Sequence, residues 1–185
     1  MNQEQALSLL KETKLVAILR GIPVKQATDI ATALYDGGVR VLEFTFDHDD
    51  PDCVAHNCQR IRAVKKIFGD EMVVGCGTAL TVQEVEASVE AGGQIVISPN
   101  VDVSVIAKTK ALGAISMPGA LTPTEIVMAY NAGADIVKLF PAGTLGVPYS
   151  KAVRGPLGYI PMSAVGGVRP ETIADFLNVG VCGFG

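Results

Sequence analysis

Tryptophan is absent from this chain of 185 residues, histidine occurs twice, and only 18% of residues are charged. Soluble domains average about 25% charged residues. Such a low charge content with 49% hydrophobic residues excludes a disordered polar chain and suits many buried strands. No apolar run approaches the ~18 residues that a membrane helix needs. The segment Met1-Asn2-Gln3-Glu4-Gln5 lacks the basic region of a signal peptide. A net charge of -4 argues against nucleic acid as a partner. None of Cys53, Cys58, Cys76 and Cys182 forms a C-x-x-C pair, so all four are read as free thiols in a reducing, cytoplasmic setting. Both histidines, His48 and His56, lie in or near Asp47-His48-Asp49-Asp50. That run has no framework spacing for a metal and reads as a solvated loop, so neither metal nor cofactor is expected. There is no linker, low-complexity segment or charge block, and residues 1–185 read as a single domain.

What the chain does have is a repeated phrase: a helix end, a small residue, a glycine, then an apolar strand. It occurs at Gly37-Gly38, Gly92-Gly93, Leu112-Gly113, Ala132-Gly133 and Val179-Gly180. A glycine just past a helix end is the usual left-handed C-cap. Strands are expected at Leu15–Leu19, Val41–Phe44, Met72–Gly75, Ile95–Ser98, Ala114–Met117, Ile136–Leu139, Met162–Val165 and Val181–Gly183. Helix starts are marked by Pro51-Asp52 and Arg169-Pro170, and by two capping-box spacings, Thr81-x-x-Glu84 and Thr122-x-x-Glu125. Residues 3 to 12 read as an extra helix before the first strand. Eight β/α units of roughly 20 residues predict an α/β protein, a closed (β/α)₈ (TIM) barrel; an open doubly wound sheet is the competing architecture. The chain stops at Phe184-Gly185, at the eighth strand. A barrel ordinarily closes with a helix packed on that strand, so this C-terminal helix and its loop are expected to be missing from the sequence.

Two charged residues sit where a barrel core should be apolar. Lys138 lies in Asp135-Ile136-Val137-Lys138-Leu139-Phe140-Pro141. Burial would lower its pKa and leave a neutral amine, a nucleophile for carbonyl carbon. The bland alternative is a lysine at a strand end that snorkels to water. Glu43 lies in Val41-Leu42-Glu43-Phe44-Thr45-Phe46. Alternation gives the larger residues Leu42, Phe44 and Phe46 to the helix side and turns Glu43 inward. A carboxyl with a raised pKa beside the amine could move protons during Schiff-base chemistry. The bland alternative is a Lys–Glu pair that merely fills the barrel centre. Other polar residues at C-terminal strand ends are Arg20, Thr78, Ser98 and Asn100, with Pro99 between the last two. Gly166-Gly167 precedes a helix after the seventh strand, where such barrels hold phosphate; an ordinary tight turn is the other reading.

Together the segments Val16–Gly21, Val41–Thr45, Gly75–Leu80, Ile97–Asn100, Met117–Gly119, Val137–Ala142 and Ala164–Val168 resemble a family of class I pyruvate aldolases, the 2-dehydro-3-deoxy-6-phosphogluconate / 4-hydroxy-2-oxoglutarate aldolases. The resemblance implies that Lys138 is the Schiff-base lysine and Glu43 the general acid/base. It implies that Thr78, Pro99 and Phe140 line a pyruvyl pocket and that Gly166 and Gly167 bind phosphate. It also implies a phosphorylated 2-keto-3-deoxy sugar acid as substrate, pyruvate and glyceraldehyde 3-phosphate as products, and a homotrimer. Asp47 stands where many gluconate-type members carry arginine, and an acid there is expected to repel a substrate carboxylate. Arg20 is then the candidate for the missing cation, as in members acting on the galactonate epimer. Val165 stands where gluconate-type members have threonine, and with Arg20 and Asn100 it looks more like the 6-phosphogalactonate branch. The family's last phosphate-binding loop lies beyond Gly185. The other readings are a phosphosugar isomerase or epimerase on a related barrel and a non-catalytic phosphosugar-acid binding module; neither would form an imine.

Overall fold

A computed structural model of the protein describes residues 1–185. Nine strand segments alternate with helices. They are β1 (Ala17–Leu19), β2 (Val41–Thr45), β3 (Val73–Gly77), β4 (Ile95–Ile97), β5 (Ile115–Met117), β6 (Gly119–Ala120), β7 (Val137–Leu139), β8 (Met162–Ala164) and β9 (Gly183–Phe184). The helices are α1 (Gln3–Thr13), α2 (Ala27–Asp36), α3 (Cys53–Phe68), α4 (Val82–Glu90), α5 (Val103–Ala111), α6 (Pro123–Asn131), α7 (Ala142–Leu157) and α8 (Pro170–Asn178).

All strand pairings are parallel, in the orders β1-β2-β3-β4-β5 and β6-β7-β8-β9. Nine segments stand for eight expected strands because Pro118 splits the fifth. Proline has no N–H to give to a ladder. Its carbonyl still accepts from the Lys138 N–H at 2.9 Å, and Ser116 O accepts from Ile136 at 3.4 Å, so β7 runs beside both halves. At the other edge Leu15 bridges Phe184. The Val16 N–H donates to Phe184 O at 2.9 Å and the Phe184 N–H to Lys14 O at 2.7 Å. These bonds complete the parallel circuit of a TIM-type barrel. The last strand falls one to two residues later than the sequence suggested, since Val181 bonds back to Phe176 O as part of the helix end.

The glycine phrase behaves as its chemistry requires. Gly38, Gly92, Gly113, Gly133 and Gly180 all have positive φ. In each case the following residue donates back across the last turn, as Val39 does to Leu34 O and Ala134 to Ala129 O. This is the Schellman arrangement. The two capping boxes at Thr81/Glu84 and Thr122/Glu125 form in full.

Three apolar clusters follow from strand alternation. Leu42, Phe44, Phe46, Val74 and Cys76 face outward onto Ala27, Ala31, Ile61 and Val64 of the helices. A second outer cluster joins Val137, Leu139, Met162 and Ala164 to Ile126, Val153 and Phe176. The third is the barrel interior: Val16, Val41, Val73, Ile95, Ile97, Ile115, Met117, Ile136 and Val165, together with Ala6 and Leu10 of α1. The extra helix α1 therefore plugs one end of the barrel. Gln3 Nε2 donates to Ala114 O at the start of β5, which makes it the N-terminal end. Leu10 is 3% exposed, and cutting it to alanine would cost about 2–5 kcal/mol. Plugging one end leaves the C-terminal mouth for chemistry. No helix is long and apolar enough to cross a membrane.

Candidate active site

Glu43 and Lys138 both project into the barrel from the middle of their strands. Glu43 is 2% exposed and Lys138 7%. No ion pair within 4.0 Å joins them, yet each feels the other's charge. Burial pushes the Glu43 carboxyl up to about 7, against the opposing pull of Lys138 and Arg20. Burial pushes the Lys138 ammonium down; Glu43 opposes this and Arg20 adds to it. Burial thus disfavours the charged form of each member, the condition for a nucleophile beside an acid/base. The Lys138 Nζ also sits 4.7 Å from the centre of the Phe140 ring.

Several of the other residues expected at the site connect to this pair by traceable contacts. Arg20 follows β1, is exposed, and is close enough for its charge to act on both Glu43 and Lys138. Val165, 3% exposed, lines with Glu43, Ile18 and Met117 a narrow space in the barrel centre. Gly166 (φ 85) and Gly167 (φ 75) both need left-handed backbone. A Cβ on Gly166 would come within 2.9 Å of the Phe140 ring. Thr78 follows β3 with φ 57, an uncommon conformation for a branched residue and one that clusters at functional sites. Pro99 is tied in through Gly119, whose absent Cβ would lie 2.4 Å from the Pro99 carbonyl oxygen. Gly119 in turn pairs with Lys138 across β6 and β7. The Ala142 and Gly143 N–H groups donate to Val165 O at 2.9 Å and Gly166 O at 2.8 Å, locking the segment after Lys138 to the Gly-Gly loop.

Asn100 and Asp47 behave differently. Asn100 is exposed, and its backbone carbonyl accepts from Ser98 Oγ at 2.9 Å. Asp47 is exposed and turned onto its own loop, where Oδ1 accepts from the Asp49 N–H at 3.3 Å. Its charge is not among those that shift Glu43 or Lys138. In the same loop His48 Nε2 meets Glu84 Oε1 at 2.7 Å and His56 Nδ1 meets Asp50 Oδ2 at 2.7 Å. Both histidines fasten the loop to helices and stand apart from the lysine.

One residue of the site escaped sequence reading. A Cβ on Gly77 would sit 2.3 Å from Glu43 Oε2 and 2.6 Å from Oε1. The Glu43 carboxylate lies in the space that the missing side chain leaves. A glycine inside a strand is itself the signal for such a close approach.

A barrel with a buried lysine and a buried carboxyl at its mouth now has a context. The sequence profile described as "Aldolase: KDPG and KHG aldolase" matches residues 7–185. The chain belongs to the KDPG and KHG aldolase family. It is an aldolase, a carbon–carbon lyase. It is 36% identical over 175 residues to a probable 2-dehydro-3-deoxy-6-phosphogalactonate aldolase of Rhizobium meliloti (strain 1021), covering 94% of this chain and 80% of that one. To the KHG/KDPG aldolase of Escherichia coli (strain K12) it is 33% identical, covering 93% and 78%. Among solved structures, one described as "Native KDPGal structure" superposes with a TM-score of 0.85 at 35% identity, over 92% of this chain and 81% of that one.

Proposed function

We propose that this aldolase works through a Schiff base on Lys138. The observation that carries the reading is the pair itself: an amine whose ammonium form is disfavoured by burial, and a carboxyl held at about 7, both buried inside the barrel. The substrate is a 2-keto-3-deoxy-6-phospho sugar acid. Neutral Lys138 attacks the C2 carbonyl, and protonated Glu43 gives its proton to the carbinolamine hydroxyl, which leaves as water to form a protonated imine. The Glu43 carboxylate takes the C4 hydroxyl proton as the C3–C4 bond breaks. The electron pair of that bond flows into the imine and leaves an enamine, with glyceraldehyde 3-phosphate as the released aldehyde. Glu43 returns the proton to C3, and hydrolysis frees pyruvate and Lys138.

The remaining residues take roles that fit their positions. Arg20 is a cation at the rim and would meet the substrate carboxylate. Gly166 and Gly167, with left-handed backbone and no side chains, would line the phosphate site, with the Gly167 N–H free to donate and that of Gly166 turned to Gly185 O at 3.4 Å. Thr78, Pro99 and Phe140 would line the pyruvyl end. Val165 in place of a hydroxyl residue supports the galactonate epimer, as do the relatives named phosphogalactonate aldolase at 36% and 34% identity. A homotrimer is the assembly this reading carries, to be checked by light scattering. The decisive experiment is borohydride reduction in the presence of pyruvate, followed by peptide mass spectrometry. A reduced pyruvyl adduct on Lys138 is expected; its absence from folded protein would overturn the mechanism.

A further inference from the structure

Two buried polar atoms without a hydrogen-bond partner share one face of β2: Oε2 of Glu43 and Oγ1 of Thr45. Thr45 is 3% exposed and lies two residues beyond Glu43, so alternation turns both side chains into the barrel. The intervening Leu42, Phe44 and Phe46 belong to the helix-side cluster. Thr45 pairs with Gly77 across β2 and β3, and the Glu43 carboxylate is the group that fills the space over Gly77. The carboxylate therefore leans toward the mouth, up to the level of Thr45. A buried hydroxyl with no partner is expensive to keep, and valine has the same shape without that cost. The hydroxyl and the carboxylate oxygen are the two unsatisfied groups of one layer, one a donor and the other an acceptor.

We propose that Thr45 is a positioning residue for Glu43: in the working enzyme its hydroxyl donates, directly or across one water, to the Glu43 carboxylate. It would hold the carboxylate at the level of Gly77 while Glu43 takes and returns the substrate proton. This rests on Glu43 being the acid/base of a Schiff-base aldolase. The charged groups that act on Glu43 are Lys138 from β7 and Arg20 from the end of β1. Both are cations, and neither hydrogen-bonds Oε2. Thr45 is the one hydroxyl on the same strand face.

The test is deuterium exchange into the methyl group of pyruvate, followed by NMR against pH at saturating pyruvate. Under saturation Lys138 is already an imine, so the acid limb of kcat reports Glu43. A donated hydrogen bond favours the carboxylate. Removing it in Thr45→Val should move the acid limb upward by about one pH unit. Thr45→Ser should bring it back toward the parent position. A limb in Thr45→Val superimposable on the parent's would overturn the proposal. So would an equal loss at every pH that serine fails to rescue, the mark of a purely structural role. Should Thr45→Val not fold, Thr45→Ala carries the same comparison. Borohydride trapping on the parent protein separates the two levels: no Lys138 adduct defeats the Schiff-base reading, whereas an adduct with an unmoved limb defeats only the role of Thr45.

Discussion

Replacing Gly77 with alanine tests the site without touching any group that does chemistry. The backbone at Gly77 is not left-handed, so alanine brings no conformational strain. Its Cβ would lie 2.3 Å from Oε2, 2.4 Å from Cδ and 2.6 Å from Oε1 of Glu43. Ordinary contact needs about 3.4 Å, so the carboxylate must retreat by about 1 Å. A displacement of that size at a reacting group costs about 10²-fold in rate. Stability should fall by no more than about 1–3 kcal/mol, the usual range for one added methyl in a packed interior. Gly75→Ala is the control, because its Cβ would strike the Ile95 carbonyl at 1.8 Å. A backbone group cannot step aside, so that variant should lose its fold while Gly77→Ala loses activity. The assay is pyruvate methyl exchange, with borohydride trapping alongside to show that Lys138 still forms its imine. The same substitution in a Glu43→Ala background closes the cycle. With no carboxylate to displace, Gly77→Ala should change the residual rate by less than about threefold. A full 10²-fold loss in that background, or wild-type activity in the single variant, would refute the argument.

Glu43 also leaves a signature in stability. Its carboxyl rises from 4.5 to about 7 on folding, worth about 3 kcal/mol at about 1.4 kcal/mol per pH unit. Between these values the native state holds a proton that the unfolded chain releases. Stability is thus lost as pH rises through the window and stays lost above it. Lys138 acts with the opposite slope at higher pH, because its folded pKa is lowered. Urea denaturation at pH 5 and pH 8 should show Glu43→Gln gaining on the parent by up to about 3 kcal/mol; a constant difference would reject the burial argument. Arg20→Ala should raise KM for pyruvate by about tenfold, the loss of one charge-assisted contact, and an unaltered KM would move the carboxylate site elsewhere. Val165→Thr should shift kcat/KM toward the gluconate epimer by about 10-fold or more; unchanged epimer ratios would reject the specificity reading of that position.

Strand and helix order was legible because the glycine C-caps and threonine capping boxes are local devices. They act within one turn, so neither needs knowledge of the fold. The inward direction of Glu43 was legible for a similar reason: Leu42, Phe44 and Phe46 claim the helix side of a strand of period two. What stayed hidden depends on contact between strands distant in sequence. Pro118 divides the fifth strand, but its carbonyl still serves Lys138, and that follows only from the β7 register. The direction in which Asp47 points was hidden as well. A strand continued through it would have turned it inward with Glu43 and Thr45. The strand instead ends at Thr45, and Asp47 bends back onto Asp49.

Gly77 shows most clearly why site chemistry resists one-dimensional reading. As a letter it is one glycine among 20, in a stretch, Gly75-Cys76-Gly77, that could be an ordinary weak strand. In space the two glycines of β3 answer different neighbours. Gly75 makes room for the backbone of β4, and Gly77 makes room for the side chain of β2. The first is a condition of closing the barrel. The second lets a carboxylate lean over the next strand, where burial raises its pKa more than the charges of Lys138 and Arg20 lower it. A larger residue at position 77 would push the Glu43 carboxylate out of the space it occupies over β3. The position of the Glu43 carboxylate is thus set as much by an atom that is missing from β3 as by the strand that supplies it.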